Sequence, residues 1–160
     1  VTPDYLVPTE HTEAEGRQVA ARLGLEPLDH EGGLFRRTLT RDGVTAIYYL
    51  LVGNDFSAMH RMRSSDELFL FHAGAPLQML ILDTDEGREE LLGPDPLSDH
   101  RPQLLVPAGV WQGARSTGAW SLVSTVVVPG FVWADFELGA RAELSQTFPA
   151  RAQRIAALTR

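Results

Sequence analysis

His60 and Glu67 have the side chains in this sequence best suited to chemistry, and glycines at 53 and 74 bracket them. His60, Glu67 and Gly74 follow Gly53 at successive seven-residue steps within GNDFSAMHRMRSSDELFLFHAG, residues 53–74. Imidazole titrates near neutrality, and a neighbouring carboxylate fixes its tautomer and raises its basicity, so the pair suits proton transfer. A lone histidine on a strand otherwise serves as a structural hydrogen-bonding group. Glu67 runs directly into Leu68-Phe69-Leu70-Phe71, where an unpaired carboxylate is costly, which argues for a partner or a functional role. Downstream, Val106-Pro107-Ala108-Gly109-Val110-Trp111-Gln112 supplies a Pro-x-Gly turn followed by an amide. Gln112, with Gln78 and Gln103, offers donors for a carbonyl or enolate oxygen. Strand pairs that deliver such groups into an apolar interior are how a β-barrel makes a small-molecule site.

Other residues are candidates for the wall of that site. Tyr48 and Tyr49 cannot both face inward, and the sequence does not choose between them; Tyr49 stands among the candidate ligand contacts. Phe69, Trp111 and Phe131 are expected in the core, and in a narrow barrel core rings also serve as cavity walls. Arg36, near Glu31, forms either a salt bridge at the rim or an anchor for an acidic ligand. His72 lies five residues from Glu67, so strand alternation puts it on the opposite face. His11 and His100 fall in an arm and a loop, where solvent is expected to reach them.

The elements that must position these groups are mostly strands. Thr12-Glu13-Ala14-Glu15 matches a capping box and opens a helix that runs to about Leu23 and stops at Gly24. Alternating or continuous apolar runs predict strands over 34–40, 45–52, 76–82, 88–92, 103–106, 111–115 and 120–128. Residues 45–52 (TAIYYLLV) are apolar on both faces, as in a strand covered on both sides. Residues 93–102 read as a loop, 135–139 as a short exit segment, and 150–158 as a final helix burying Ile155, Ala156 and Leu158. Short strands with turn signals about every ten residues and helices only at the ends predict an all-β antiparallel sandwich or barrel. One domain over 1–160 is expected: arm and helix to 23, barrel over 24–139, helical segment over 140–160.

Composition excludes several classes of function. The chain has 160 residues, a net charge of −7 and no cysteine. That removes disulfides and thiolate chemistry, and it argues against a nucleic-acid surface, which needs clustered basic residues. All 14 basic residues are arginine, so lysine Schiff-base chemistry is excluded. No apolar run approaches the ~20 residues of a membrane span, and no signal peptide is evident, so a cytoplasmic protein is expected.

The pattern resembles the cupin superfamily, whose first motif sets His-x-His and Glu between glycines and whose second reads Pro-x-Gly-x-x-His. Here the first is Gly53, His60-Arg61-Met62, Glu67 and Gly74; the second is Pro107-Ala108-Gly109-Val110-Trp111-Gln112. Glu31-Gly32-Gly33-x-Phe35-Arg36-x-Thr38, Asp66-Glu67, Gly74-Ala75-Pro76 and Val128-Pro129-Gly130-Phe131-x-x-x-Asp135-Phe136-Glu137-Leu138-Gly139 resemble the fifth cupin subfamily in particular. The resemblance covers about residues 24–158. It implies a cupin-type antiparallel β-barrel or jelly roll with short N- and C-terminal helices, and a homodimer joined through residues 1–10 or an outer strand.

It also bears on the chemistry. A full cupin metal site has three His and one Glu, whereas the matching positions here are His60, Met62, Glu67 and Gln112. A thioether and an amide are poor ligands for such ions. No cofactor is therefore expected, with a divalent metal on His60, Glu67 and Gln112 as the alternative. Metal-free cupins such as sugar-nucleotide epimerases use a barrel histidine to remove a proton beside a carbonyl. The expectation is a metal-independent isomerase, epimerase or cyclase acting on a small molecule, with His60 and Glu67 catalytic. The alternatives are a metal-dependent oxygenase or lyase and a non-catalytic small-molecule binding protein.

Overall fold

The computed structural model describes residues 10–160, so most of the arm expected over 1–10 lies outside the described residues. The capping box forms: Glu15 N donates to Thr12 Oγ1 at 3.2 Å and Thr12 N donates to Glu15 Oε2 at 2.9 Å. It opens helix α1 (Glu13–Leu23), which Gly24 closes in a left-handed conformation, φ 64°. Thr12→Ala removes an N-cap acceptor and is expected to cost about 1 kcal/mol in thermal or urea unfolding. Unaltered unfolding would show that the cap adds nothing to the packing of α1.

Twelve strands follow: β1 (Glu26–Pro27), β2 (Leu34–Arg41), β3 (Val44–Val52), β4 (Phe56–Met62), β5 (Asp66–Gly74), β6 (Leu77–Leu82), β7 (Arg88–Leu92), β8 (His100–Arg101), β9 (Gln103–Val106), β10 (Trp111–Ser116), β11 (Trp120–Val128) and β12 (Phe136–Leu138). They form two six-stranded sheets, ordered β1-β2-β3-β11-β5-β9 and β12-β4-β10-β6-β7-β8. Every pair is antiparallel except β7 with β8. Two short helices, α2 (Arg141–Thr147) and α3 (Ala152–Ala157), close the chain. The strand pattern follows the apolar periodicity closely. The loop expected over 93–102 contributes the two-residue β8, the exit segment pairs with β4 as β12, and α2 adds a helix before the one expected.

Three apolar layers explain why many strands are apolar on both faces. Between the sheets lie Tyr49, Leu51, Phe69, Met79, Ile81 and Val123. Outside the first sheet, Leu50 and Trp120 pack under Ala20 of α1. Outside the second, Met59, Leu80 and Leu82 pack under Leu144, Ile155 and Leu158 of the C-terminal helices. Ile155 and Leu158 are buried as expected, but Ala156 is exposed.

Strict alternation breaks at β-bulges, where an extra residue resets which side chains face inward. In β4 the register to β10 shifts between His60↔Gln112 and Ser57↔Ala114. Both Ser57 and His60, three residues apart, therefore reach the space between the sheets. In β5 the shift falls at Phe71/Ala73, leaving His72 on the outer surface, bonded to Ser124 Oγ at 2.5 Å. Tyr48 is on that outer side too, edge-on to His72, so the inward tyrosine is Tyr49.

Candidate functional site

A cavity of about 100 Å³ opens between the sheets at the end where the chain leaves β11. Glu31, His60 and Glu67 are polar groups of its wall, joined by Thr45 and Thr125, and most of the remaining lining is apolar. Each comes from a different part of the chain. His60 is on β4, Glu67 on β5 of the opposing sheet, and Glu31 on the turn that enters β2.

His60 is held from both sides of its ring. Nδ1–H donates to the Ala58 carbonyl at 2.7 Å, which fixes the tautomer and leaves Nε2 to the cavity. Nε2 lies 3.8 Å from Glu67 Oε2 and 3.9 Å from Glu31 Oε1. The ring stacks on Phe136 with centroids 5.2 Å apart. Burial alone would depress this imidazole, but the nearby charges of Glu31 and Glu67 and the hydrogen bond to the Ala58 carbonyl together raise its pKa to about 9. His60 is therefore an imidazolium at neutral pH. Glu31 moves upward as well, chiefly by burial and further by the Glu67 charge, with His60 and Ser57 opposing.

The carboxylates are positioned by neutral donors. Ser57 Oγ donates to Glu31 Oε1 at 2.7 Å, and Gln112 Nε2 donates to Glu67 Oε2 at 2.7 Å. The turn bearing Glu31 is itself clamped. Arg160 donates to the Glu31 carbonyl at 2.7 Å and to Asp55 Oδ1 at 2.8 Å, while Asp55 Oδ2 accepts from Gly33 N at 2.9 Å. Tyr49 hydroxyl donates to the Gly32 carbonyl at 2.8 Å. Gly33 has φ 76°, and a Cβ there would lie 2.7 Å from the Tyr49 ring, so the close approach of tyrosine to turn requires glycine.

The mouth is aromatic. Phe131, Trp133 and Phe136 pack against one another with centroids 5.0–6.2 Å apart, and Phe131 N is tied to Thr45 Oγ1 at 2.9 Å. Trp133 remains 51% exposed.

Among the residues singled out from sequence, His60, Glu67 and Phe131 line this cavity. Gln112 is buried behind Glu67 and spends its amide N–H on that carboxylate instead of facing a ligand. Tyr49 supports the Glu31 turn, and Phe69 is buried in the core between the sheets. Four others lie elsewhere. Arg36 is exposed over the Tyr48 ring on the outer face, because its strand partner is Tyr48. Gln78 faces outward and bonds to Glu89. Gln103 is exposed at the start of β9. Trp111 packs on the outer side of the second sheet, beneath the Arg61 guanidinium at 4.4 Å. Missed from sequence were Glu31, considered only as a salt-bridge partner of Arg36 and as part of a family motif, and Arg37, which lines the cavity where the ligand-anchor role had been offered to Arg36.

The donor set does not fit the metal ion that the cupin resemblance implies. One imidazole is present, Met62 occupies the second histidine position, and the Gln112 amide faces Glu67. An ion held tetrahedrally at about 2.1 Å from each ligand sets neighbouring donors about 3.4 Å apart. The carboxylates stand wider than that from His60, at 3.8 and 3.9 Å. Among the described residues no group of three His, Cys, Asp or Glu is placed to hold a metal.

Comparison with known proteins places this geometry in context. The family model Cupin_5, described as cupin superfamily (DUF985), matches residues 17–139. No functionally curated protein matches the sequence. The crystal structure of protein SO0799 from Shewanella oneidensis is 32% identical, with the match covering 89% of this chain and 96% of that one at a TM-score of 0.81. A hypothetical protein from Leishmania major is 28% identical, covering 89% and 95% at a TM-score of 0.76. A dTDP sugar isomerase from Desulfovibrio desulfuricans is 17% identical over 78% and 83% of the two chains, TM-score 0.55, a likeness of fold alone. No described helix is long and apolar enough to cross a membrane.

Proposed function

The chain belongs to the Cupin_5 family of the cupin superfamily, and from that premise we propose that its barrel cavity moves a proton on a small carbonyl-bearing molecule, as an isomerase or epimerase does, without a metal. One observation carries the reading: a buried imidazole faces two carboxylates from separate segments across an apolar hollow. Catalysis of this type pairs an acid and a base whose environments set them near working pH.

In this reading His60 is the acid. Its Nε2–H donates to the carbonyl oxygen and neutralises the negative charge that develops there. Glu31, a stronger base than an ordinary carboxylate because burial raises its pKa, takes the proton from the adjacent carbon. The enol so formed collapses when His60 Nε2 takes the proton back from oxygen and the carboxyl of Glu31 returns one to carbon. Epimerisation follows when the planar enol turns its other face to Glu31 before the proton returns. Where the adjacent carbon carries a hydroxyl, isomerisation follows when His60 takes the proton from that second oxygen instead and Glu31 protonates the former carbonyl carbon, whose oxygen keeps its proton. No net proton, electron or water is consumed. Glu67, held by Gln112, balances the imidazolium through the cycle. The small volume favours a compact reacting group, since pockets that enclose drug-sized ligands run to roughly 300–1,000 Å³.

The test is deuterium wash-in from D2O on a panel of small aldehydes, ketones and keto acids, using protein prepared with and without chelator. Incorporation beside the carbonyl of at least one class, undiminished by chelation, is expected. Absence of exchange across the panel overturns the chemistry. Exchange that dies with chelator and returns with one equivalent of Fe, Mn, Ni or Zn overturns the metal-free mechanism.

A further inference from the structure

Building on the proton-transfer reading above, we propose that Arg37 is the anion-binding residue of this cavity and that its ligand carries a carboxylate or phosphate at the end away from the reacting carbonyl. Both Arg36 and Arg37 are solvent-exposed, and cross-strand pairing fixes which of them lies on the cavity side of the sheet, at the mouth. Phe35 pairs with Tyr49 and Arg37 with Ile47, whose side chains belong to the layer between the sheets, whereas Arg36 pairs with outward Tyr48. The bulge comes only after Arg37, so the alternation through Phe35 and Arg37 is unbroken.

Arg37 is the only permanent cation lining the cavity among the described residues. It forms no salt bridge or side-chain hydrogen bond with another described residue. By contrast, Arg61 and Arg63 are tied to Glu137, Arg101 to Glu90 and Arg154 to Glu89. Neither Glu31 nor Glu67 captures it, although both line the same hollow. Its guanidinium carbon lies 5.8 Å from the Phe131 ring centroid, an arrangement that leaves the planar edge and its N–H donors available. The chain carries a net charge of −7, and the cavity floor holds two carboxylates against one imidazolium. An anion entering such a site requires a local cation, and Arg37 supplies one at the aromatic mouth. A cavity of about 100 Å³ encloses little more than the reacting head of a ligand, so the remainder rests against Phe131, Trp133 and the guanidinium.

Phenylacetate and phenylacetamide test this directly, since they share shape and differ in charge, and phenyl phosphate tells the two anion types apart. Binding is followed by the NMR shifts of Trp133 and Phe136. In the wild type, phenylacetate or phenyl phosphate is expected to bind about tenfold or more tighter than the amide. Arg37→Gln should bring anion and amide to within about twofold, while Arg36→Gln leaves the preference unchanged. The tighter of the two anions identifies the natural group. Equal binding of anion and amide by the wild type, a preference that survives Arg37→Gln, or no shift with either anion at about 10 mM overturns the inference. The measurement involves no turnover. Arg37-dependent anion binding without deuterium exchange would sink the proposed chemistry alone, and exchange without anion preference would sink the role of Arg37 alone.

Discussion

Glu31→Gln is expected to slow proton exchange by about 10²–10⁴-fold while leaving the fold in place. Glutamine keeps the volume of the side chain and an oxygen that can accept from Ser57 Oγ, now 2.7 Å away. What it lacks is the basic lone pair. His60→Asn should give a loss of similar size by removing the acid, and a protein that only binds its ligand would keep much of its affinity in both variants. Glu31→Gln also has a readout that does not depend on substrate. The Glu31 charge is among the main influences that raise the His60 pKa against burial, so in this variant the imidazole should titrate below about 9 in an NMR pH series. Full exchange activity in Glu31→Gln with loss in Glu67→Gln would move the base to the other carboxylate. Retention in all three variants would remove this triad from the chemistry.

Particular residues show what was legible from sequence. The two sheets, the capping box and the inward phase of Glu67 follow from apolar periodicity and turn chemistry, which are local properties. His60 and Glu67 were legible because their spacing places them on neighbouring motif strands. Glu31 was not, although Glu31-Gly32-Gly33 had been noted. Its role depends on a turn folding over Tyr49 and on Arg160 clamping that turn from 129 residues away in sequence. The choice of Arg37 over Arg36 required the β2–β3 register, which a run of two arginines does not reveal. Trp111 was misplaced because both faces of the second sheet are covered, so an aromatic on β10 has two apolar layers to choose from. Local pattern identifies strands and the residues they carry; bulges and long-range clamps decide which of those residues meet.

Stability should fall as pH rises from about 6.5 to about 9, and the direction follows from His60. Its pKa is 6.5 as a free side chain and about 9 in the fold, so in that window the native state holds a proton the unfolded chain has released. When the native state binds more protons, unfolding free energy decreases with pH. The contribution of His60 is fully present below about 6.5 and is lost as pH passes about 9, amounting to roughly 3 kcal/mol at most. Glu31, also raised, acts in the same direction starting above its ordinary value of 4.5. Glu15, Asp135 and Glu137 are lowered, so their contribution is lost only on acidification below the usual carboxylate range, outside this window. His72 is lowered by burial and titrates below 6.5, again outside it. Urea unfolding at several pH values between 6 and 9, below the range where the buried Tyr49 hydroxyl contributes a slope of its own, should therefore show a downward slope in the wild type. The double variant His60→Asn, Glu31→Gln removes the imidazole and leaves a single carboxylate beside Gln112, so it should be nearly flat across the same range. Parallel slopes in the two proteins would mean that His60 is not held as an imidazolium, and the acid role assigned to it would fall with that result.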